Sequence, residues 1–238
     1  MQRVVITGAN RGLGLGLVKG FRALGDCVLA TARQPERAGD LLALREKEAG
    51  EDHLRIYSLD LASPESIAAF AAEMLVFPGS IDLLINNAGV YPEKGSETLE
   101  ELDLALMETA WRVNVLGTAR LTQALLPLLR RSASARIVNI SSGTASVTTK
   151  TDHRHYCYGL SKAALNFFTR GLAAELKPHG IPVVALSPGW VRTEMGGPEA
   201  ELSVEESCAA MVPAMRGLEM AQSGLFLDRY GNPEGYPW

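Results

Sequence analysis

The regular alternation of short apolar runs with helical stretches limits what this chain can fold into more than any other feature. "RVVIT" (3–7), "CVLATA" (27–32), "LRIYSL" (54–59), "IDLLIN" (81–86), "RIVNIS" (136–141) and "PVVALS" (182–187) read as strands. They are short, rich in β-branched residues and apolar almost throughout. A strand with one wet face would alternate instead, so these are strands covered on both faces, as in a parallel sheet. A weaker seventh run is "GLFLD" (224–228). Helical patterns occupy 12–24, 35–49, 64–77, 99–130, 157–177 and 203–222. Asp60, Ser63, Glu65 and Ser66 offer cap chemistry to the third, with Pro64 in its first turn. This order gives an α/β fold, a doubly wound parallel sheet of about seven strands with helices on both faces. No repeat or linker divides residues 1–238, which form one domain. Ligands of such sheets bind beyond the carboxyl ends of the strands, so the loops after the strands are where chemistry belongs.

Composition narrows the function classes. The net charge is −4, and no long basic run is present, which argues against nucleic acid or an anionic membrane surface as the main partner. No apolar run reaches membrane-spanning length, and "MQRVVITGAN" enters a strand directly, without the pattern of a signal peptide. Cys27, Cys157 and Cys208 are odd in number and scattered. They suit a reducing compartment, and a cytoplasmic location is expected. His153 and His155 form an HxH pair without an evident third ligand, so no metal site is expected.

The motifs fall in the expected loops. "TGANRGLG" (Thr7–Gly14) follows the first strand and precedes a helix. Glycine permits the tight turn, and the helix offers free N–H groups and its positive end to a pyrophosphate. Asp60, after the third strand, can cap the next helix or accept from an adenine amino group. Asn86 and Asn87 in "NNAG" can lock their turn or touch a cofactor. Asn114 interrupts the apolar helical stretch "WRVNVLG". Asparagine is a poor helix-interior residue, so it either makes a local backbone bond with a bend, or opens the helix and holds a water for proton transfer. Ser141 and Ser142 end the fifth strand. In "HRHYCYGLSK", Tyr158 and Lys162 are four apart and share a helix face, whereas Tyr156 and Lys162 do not.

Taken in order, TGxxxGxG (Thr7–Gly14), NNAG (Asn86–Gly89), Asn114, ISS (Ile140–Ser142), YxxxK (Tyr158–Lys162) and PGWVRT (Pro188–Thr193) resemble the short-chain dehydrogenase/reductase family over essentially the whole chain. "PGWVRTEMGG" and "GLFLDRYGNPEGYPW" are similar to the sniffer-type carbonyl reductases and C-factor-like proteins within it. The resemblance implies a Rossmann-like fold and a catalytic set of Asn114, Ser142, Tyr158 and Lys162. Tyr158 is then the general acid/base, Lys162 holds the nicotinamide ribose and lowers the phenol's pKa, Ser142 orients a substrate carbonyl, and Asn114 serves a proton relay. Tyr156 is left as packing or pocket wall. The implied cofactor contacts are Gly8, Asn10, Arg11, Gly12, Leu13 and Gly14 in the first turn, with Arg33 after the second strand. Asp60 and Leu61 follow after the third strand, Asn87, Ala88 and Gly89 after the fourth, and Pro188, Gly189, Val191 and Thr193 after the sixth; Tyr158 and Lys162 complete the set.

The second strand ends in Thr31, Ala32 and Arg33, with no acid before Glu36. A carboxylate there would favour NAD(H); two arginines, Arg11 and Arg33, favour a 2′-phosphate, so NADP(H) is the expected cofactor. The implied activity is NADPH-dependent reduction of a small aldehyde, ketone or quinone. The alternative is an NADP(H)-binding regulatory protein on the same fold. Residues 194–207 read as a mobile substrate lid, hinged at Gly196, Gly197 and Pro198, with Met195, Leu202 and Trp190 making the pocket fairly apolar. The long helices at 99–130 and 157–177 resemble those that pair subunits in this family, which implies a homodimer or homotetramer.

Overall fold

The computed structural model describes residues 1–47, 53–76, 79–233 and 237–238. Seven strands form one sheet: β1 (Arg3–Ile6), β2 (Cys27–Ala32), β3 (Leu54–Ser58), β4 (Leu83–Asn86), β5 (Arg136–Ile140), β6 (Val183–Leu186) and β7 (Phe226–Leu227). Their order is β3-β2-β1-β4-β5-β6-β7, and all neighbours are parallel. The α-helices are α1 (Gly12–Ala23), α2 (Gly39–Lys47), α3 (Pro64–Val76), α4 (Ala105–Ala110), α5 (Thr118–Leu129), α6 (Tyr156–Leu176) and α7 (Val204–Arg216).

The apolar strands bury side chains on both faces. Val4, Ile6, Val28, Ala30 and Ile85 pack with residues of α1, α2 and α7. Val5, Leu29, Leu84 and Ile137 face the other way, toward α3, α5 and α6. A period-2 chain must alternate faces, so continuous apolar character is what a sheet between two helical layers requires. The doubly wound sheet expected from the sequence is the one observed.

Several boundaries differ from the sequence reading; the helix expected over 203–222, for one, ends at Arg216. The expected helix at 99–130 begins only at Ala105. Before it, the Glu101 carboxylate accepts from the Thr98 N–H and hydroxyl, which holds a turn instead. The stretch then opens into a π-helical segment, Trp111–Gly117, before α5. Most of the 35–49 stretch is a short 3-10 turn followed by α2; residues 48 and 49 lie outside the described residues. Residues 203–207, expected within a mobile lid, belong to the start of α7 instead. Ser203 and Glu206 form a reciprocal capping box there, and Ser207 is fully buried with its hydroxyl on the Pro188 carbonyl. Such a cap contributes about 1 kcal/mol, which limits the lid expectation to 194–202.

A polar ladder runs beneath the sheet's carboxyl edge. The Asn86 amide donates to Asn139 Oδ1 at 2.7 Å and to the Thr122 hydroxyl at 3.1 Å, and the Asn139 amide donates to the Thr169 hydroxyl at 2.8 Å. All four residues are buried, so β4, β5, α5 and α6 are tied together by bonds that water cannot replace.

Candidate active site

Strand order reverses between β1 and β4, so the loops after these two strands part over a crevice. Thr7 holds its edges. Its hydroxyl accepts from the N–H groups of Asn87 and Ala88 at 3.0 and 2.9 Å. Asn87 returns the bond, its amide donating to the carbonyls of Thr7 and Gly8. Of the two readings left open for the asparagines, turn locking holds for Asn87, whereas the Asn86 amide bonds the side chains of Thr122 and Asn139. A Cβ on Gly14 would lie 2.1 Å from the Gly8 carbonyl and 2.8 Å from the Asn87 amide, so only glycine lets α1 start this close to the turn. α1 has no side-chain cap and no acid in its first turn. Its first N–H groups lack helical acceptors, and that end of α1 fits a pyrophosphate.

The remaining expected cofactor residues lie around the same edge. The Asp60 carboxylate accepts from the Ala62 N–H at 2.9 Å and so locks its own turn, while the cap of α3 is Ser63, which accepts from Ser66 N–H. Leu61 abuts the π segment: a Cβ on Gly117 would meet its carbonyl at 2.4 Å. Val191 pairs with Leu202, and Thr193 approaches Gly12, whose added Cβ would lie 3.4 Å from the threonine methyl. Arg33 is exposed at the end of β2. Arg11 is exposed too, but forms an ion pair with Glu194 at the start of the lid segment. A 2′-phosphate at Arg11 must therefore compete with Glu194, a partner that sequence spacing did not show.

The four expected catalytic residues converge on one loop cluster. Asn114 lies in the π segment, fully buried. Its carbonyl oxygen accepts from the Val90 N–H at 2.8 Å, and its amide donates to the Val90 carbonyl and the Ser161 hydroxyl, both at 2.9 Å. Ser161 in turn donates to the Tyr158 carbonyl at 2.7 Å. Asn114 thus opens its helix to grip the loop after β4 as a strand would, and both amide protons are committed to protein. A relay through its side chain can use only the remaining lone pair of the amide oxygen. A Cβ on Gly89 would lie 3.2 Å from that oxygen and 3.4 Å from Lys162 Nζ, so the glycine leaves the space between them open.

Ser141 and Ser142 separate cleanly. The Ser141 hydroxyl turns into the core and donates to Asn166 Oδ1 at 2.6 Å. The Ser142 hydroxyl accepts from the Thr144 N–H and hydroxyl and acts on the Tyr158 phenol. Tyr156 packs against the small cluster of Leu102, Ala110 and Cys157, as wall or packing.

Lys162 is buried, donates to the Ile140 carbonyl at 2.8 Å, and lies 5.6 Å from the centre of the Tyr158 ring. Burial pushes the Tyr158 phenol up to about 12; the bond from Ser142 opposes this, and Tyr91 and Glu93 add to it. Burial also takes the Lys162 ammonium down to about 8. The phenol expected to be lowered by its lysine is thus raised in the protein alone. Desolvation disfavours both charged forms.

The sequence reading missed three residues beside Tyr158. The Tyr91 ring meets the Tyr158 ring edge-on at 5.1 Å, and its hydroxyl shares a 2.7 Å hydrogen bond with His155 Nδ1. Glu93 reaches from the same loop to the Tyr158 backbone. Signals existed: "YPE" directly follows NNAGV, and His155 belongs to the HxH pair. Among the described residues no group of three metal-binding side chains occurs. Trp190 and Met195 are half exposed at the rim, and the Trp190 indole donates to the Gly196 carbonyl.

Comparison with known proteins agrees with this fold. The sequence family described as short chain dehydrogenase matches residues 2–202. A protein named C-signal from Myxococcus xanthus is 41% identical over 170 residues, covering 71% of this chain and 99% of the relative. The carbonyl reductase Sniffer of D. melanogaster superposes with a TM-score of 0.93 at 32% identity, over 100% of both chains. The NADPH-bound carbonyl reductase from chicken fatty liver gives 0.89 at 36% identity, over 98% of both. The chain belongs to the short-chain dehydrogenase family of oxidoreductases.

Proposed function

We propose that this protein is an NADP(H)-dependent carbonyl reductase acting on small aldehydes, ketones or quinones, with Tyr158 as the proton donor. The observation that carries the reading is Tyr158, its ring 5.6 Å from the buried Lys162 ammonium and its phenol acted on by Ser142, at the edge of the sheet that also holds a turn fitting a pyrophosphate. NADPH supplies the hydride when bound. Ser142 holds the substrate carbonyl oxygen next to Tyr158, and the phenol, protonated at neutral pH, gives that oxygen its proton. Lys162 is fixed by the Ile140 carbonyl and keeps further N–H donors for a ribose. General acid help of this kind contributes roughly 10²–10⁴ in rate; positioning and the developing oxyanion's hydrogen bonds supply the rest. Trp190 and Met195 give the pocket an apolar rim, and residues 194–202 close over substrate.

The test is NADPH oxidation with a panel of aldehydes, ketones and quinones. Turnover should vanish in Tyr158→Phe, with NADPH affinity unchanged, and persist in Tyr156→Phe; the reverse pattern refutes the assignment. The likeness to C-signal favours one second reading, a nucleotide-binding regulatory protein. Tight NADPH binding without turnover on any carbonyl would support it. Leu160 and Phe167 on α6 and Trp111 and Leu116 on the π segment are exposed. A second copy of the chain covering them makes a homodimer or homotetramer, which light scattering would detect. The three cysteines are buried, which suits a reducing cytoplasm.

A further inference from the structure

We propose that Glu93 is a positioning residue for Tyr158, fixing the start of α6 from across the site and holding the Tyr158 phenol in its protonated form. The inference rests on the reading of Tyr158 as the acid.

Glu93 is buried, 6% exposed, in the loop after β4. Its Oε1 accepts from the backbone N–H of Tyr158 at 2.7 Å, across 65 residues of sequence. Its Oε2 is equally buried and has no hydrogen-bond partner. A buried carboxylate left half satisfied is costly, so its place calls for a reason beyond packing. α6 supplies one. His155, its N-cap residue, makes no side-chain cap and sits in the left-handed region at φ 61°. The first helical acceptor, the His155 carbonyl, is taken by Gly159, so the N–H groups of residues 156–158 need partners from elsewhere. Glu93 provides one for the residue that carries the phenol, and its negative charge meets the positive end of the helix. The same loop grips α6 twice more, through the Tyr91–His155 hydrogen bond and through the Gly95 carbonyl, which accepts from His155 N–H.

This placement has an electrostatic consequence. A carboxylate beside the first turn of α6 opposes formation of the phenolate. Glu93 and Tyr91 both raise the Tyr158 pKa, and the Ser142 hydrogen bond lowers it. Lys162 faces the ring from the next turn. Glu93 also acts on Tyr91, His155 and Cys157, all of which border it. Further out, Glu97, Lys150, Asp152 and Arg154 act on Tyr91 or His155, and Glu97 and Asp103 act on Cys157. Among these, Glu93 is the charged side chain bonded to the Tyr158 backbone, so it combines position with charge.

Two substitutions separate those roles. Glu93→Gln keeps an acceptor at full reach and removes the charge. Glu93→Asp keeps the charge and shortens the reach. The Tyr158 titration is read by ultraviolet difference spectra against Tyr158→Phe, without cofactor. Its midpoint should fall by about half to one pH unit in Glu93→Gln and stay near native in Glu93→Asp. In kinetics, the alkaline fall of carbonyl reduction should move down in pH for Glu93→Gln. Glu93→Asp should lose tenfold or more in kcat with KM for NADPH unchanged and the pH limb unmoved. An unmoved midpoint and limb in Glu93→Gln overturn the electrostatic role, and full kcat in Glu93→Asp overturns the positioning role. If Tyr158→Phe itself turns over, the reading of the acid has failed, and the phenol titration still decides whether Glu93 acts on Tyr158.

Discussion

Ser141 and Ser142 are neighbours with opposite duties, and a single atom removed from each should show it. Ser142→Ala should cut kcat by 10²-fold or more with little loss of stability, because its hydroxyl serves the site. Ser141→Ala strands the Asn166 carbonyl oxygen in the core, beside an Asn166 amide that already lacks a partner. It should cost about 1–3 kcal/mol in stability and leave the active fraction near native in kcat. Thermal melts and kinetics on both variants check this. Lys162 has the opposite character, since the fold tolerates it for the sake of the site. An unfolded lysine keeps its proton up to the ordinary value of 10.5, and the buried one loses it near 8. Between those values the unfolded chain binds more protons, so stability should rise with pH; below about 8 the penalty is present in full. The gap corresponds to on the order of 3 kcal/mol, offset by about 1 kcal/mol for the bond to the Ile140 carbonyl. Lys162→Met should therefore be inactive yet more stable at pH 7, by on the order of 2 kcal/mol, with the gain gone by pH 10.5. Denaturant titrations at several pH values measure it; a less stable Lys162→Met at neutral pH contradicts it.

At the scale of elements, the segment over 194–202 is held mostly by its own stem. The Arg192 N–H and guanidinium donate to the Leu202, Ala200 and Glu201 carbonyls, and the Gly196 and Gly197 N–H groups bond Thr193. An exposed ion pair, Arg11–Glu194, ties it to the glycine turn. Hydrogen exchange should slow across 194–202 when NADPH and a carbonyl ligand bind, and remain slow throughout in 203–207. Unchanged exchange at 194–202 would reject closure. Elements of this molecule were legible in the sequence wherever the physical signal was local. Strands showed as continuous apolar runs, Tyr158 and Lys162 by helical spacing, and the opening at Asn114 by a polar residue where none belongs. Two errors came from local side-chain caps that override the apolar periodicity, and the others from distant partners. The start of α4 moved because Glu101 bonds Thr98, and the lid shortened because Ser203 and Glu206 cap one another. The roles of Glu93 and His155 depend on a loop from β4 folding onto α6, which no spacing within either segment records. The direction of the Tyr158 shift was missed for the same reason, since burial is a property of the assembled site.

For the whole molecule, cofactor choice joins the first two loops to the lid. Arg33→Ala should lose about tenfold in kcat/KM for NADPH and little for NADH, on the basis of about 1.5 kcal/mol for one charge-assisted contact. Glu194→Gln should free Arg11 and tighten NADPH two- to fivefold with NADH unchanged, since an exposed ion pair contributes about 0.5–1 kcal/mol at most. Equal effects on both cofactors would mean that neither arginine reads a 2′-phosphate. The sheet order, with its reversal between β1 and β4, puts these loops on one edge, and below that edge the Asn86–Asn139–Thr169 ladder ties β4, β5 and α6. The ladder divides the molecule into a stiff floor and a compliant rim. Displacing any one rung strands amides in a dry interior, so the distances that set the chemistry are insulated from changes above them. A lineage with this build can exchange substrates by altering the rim while inheriting the reaction intact. Laboratory selection for a new carbonyl substrate should therefore gather its substitutions at rim positions such as Tyr91, Trp190 and Met195. Recurrent replacement of Asn86, Asn139 or Thr169 would show the floor to be negotiable after all.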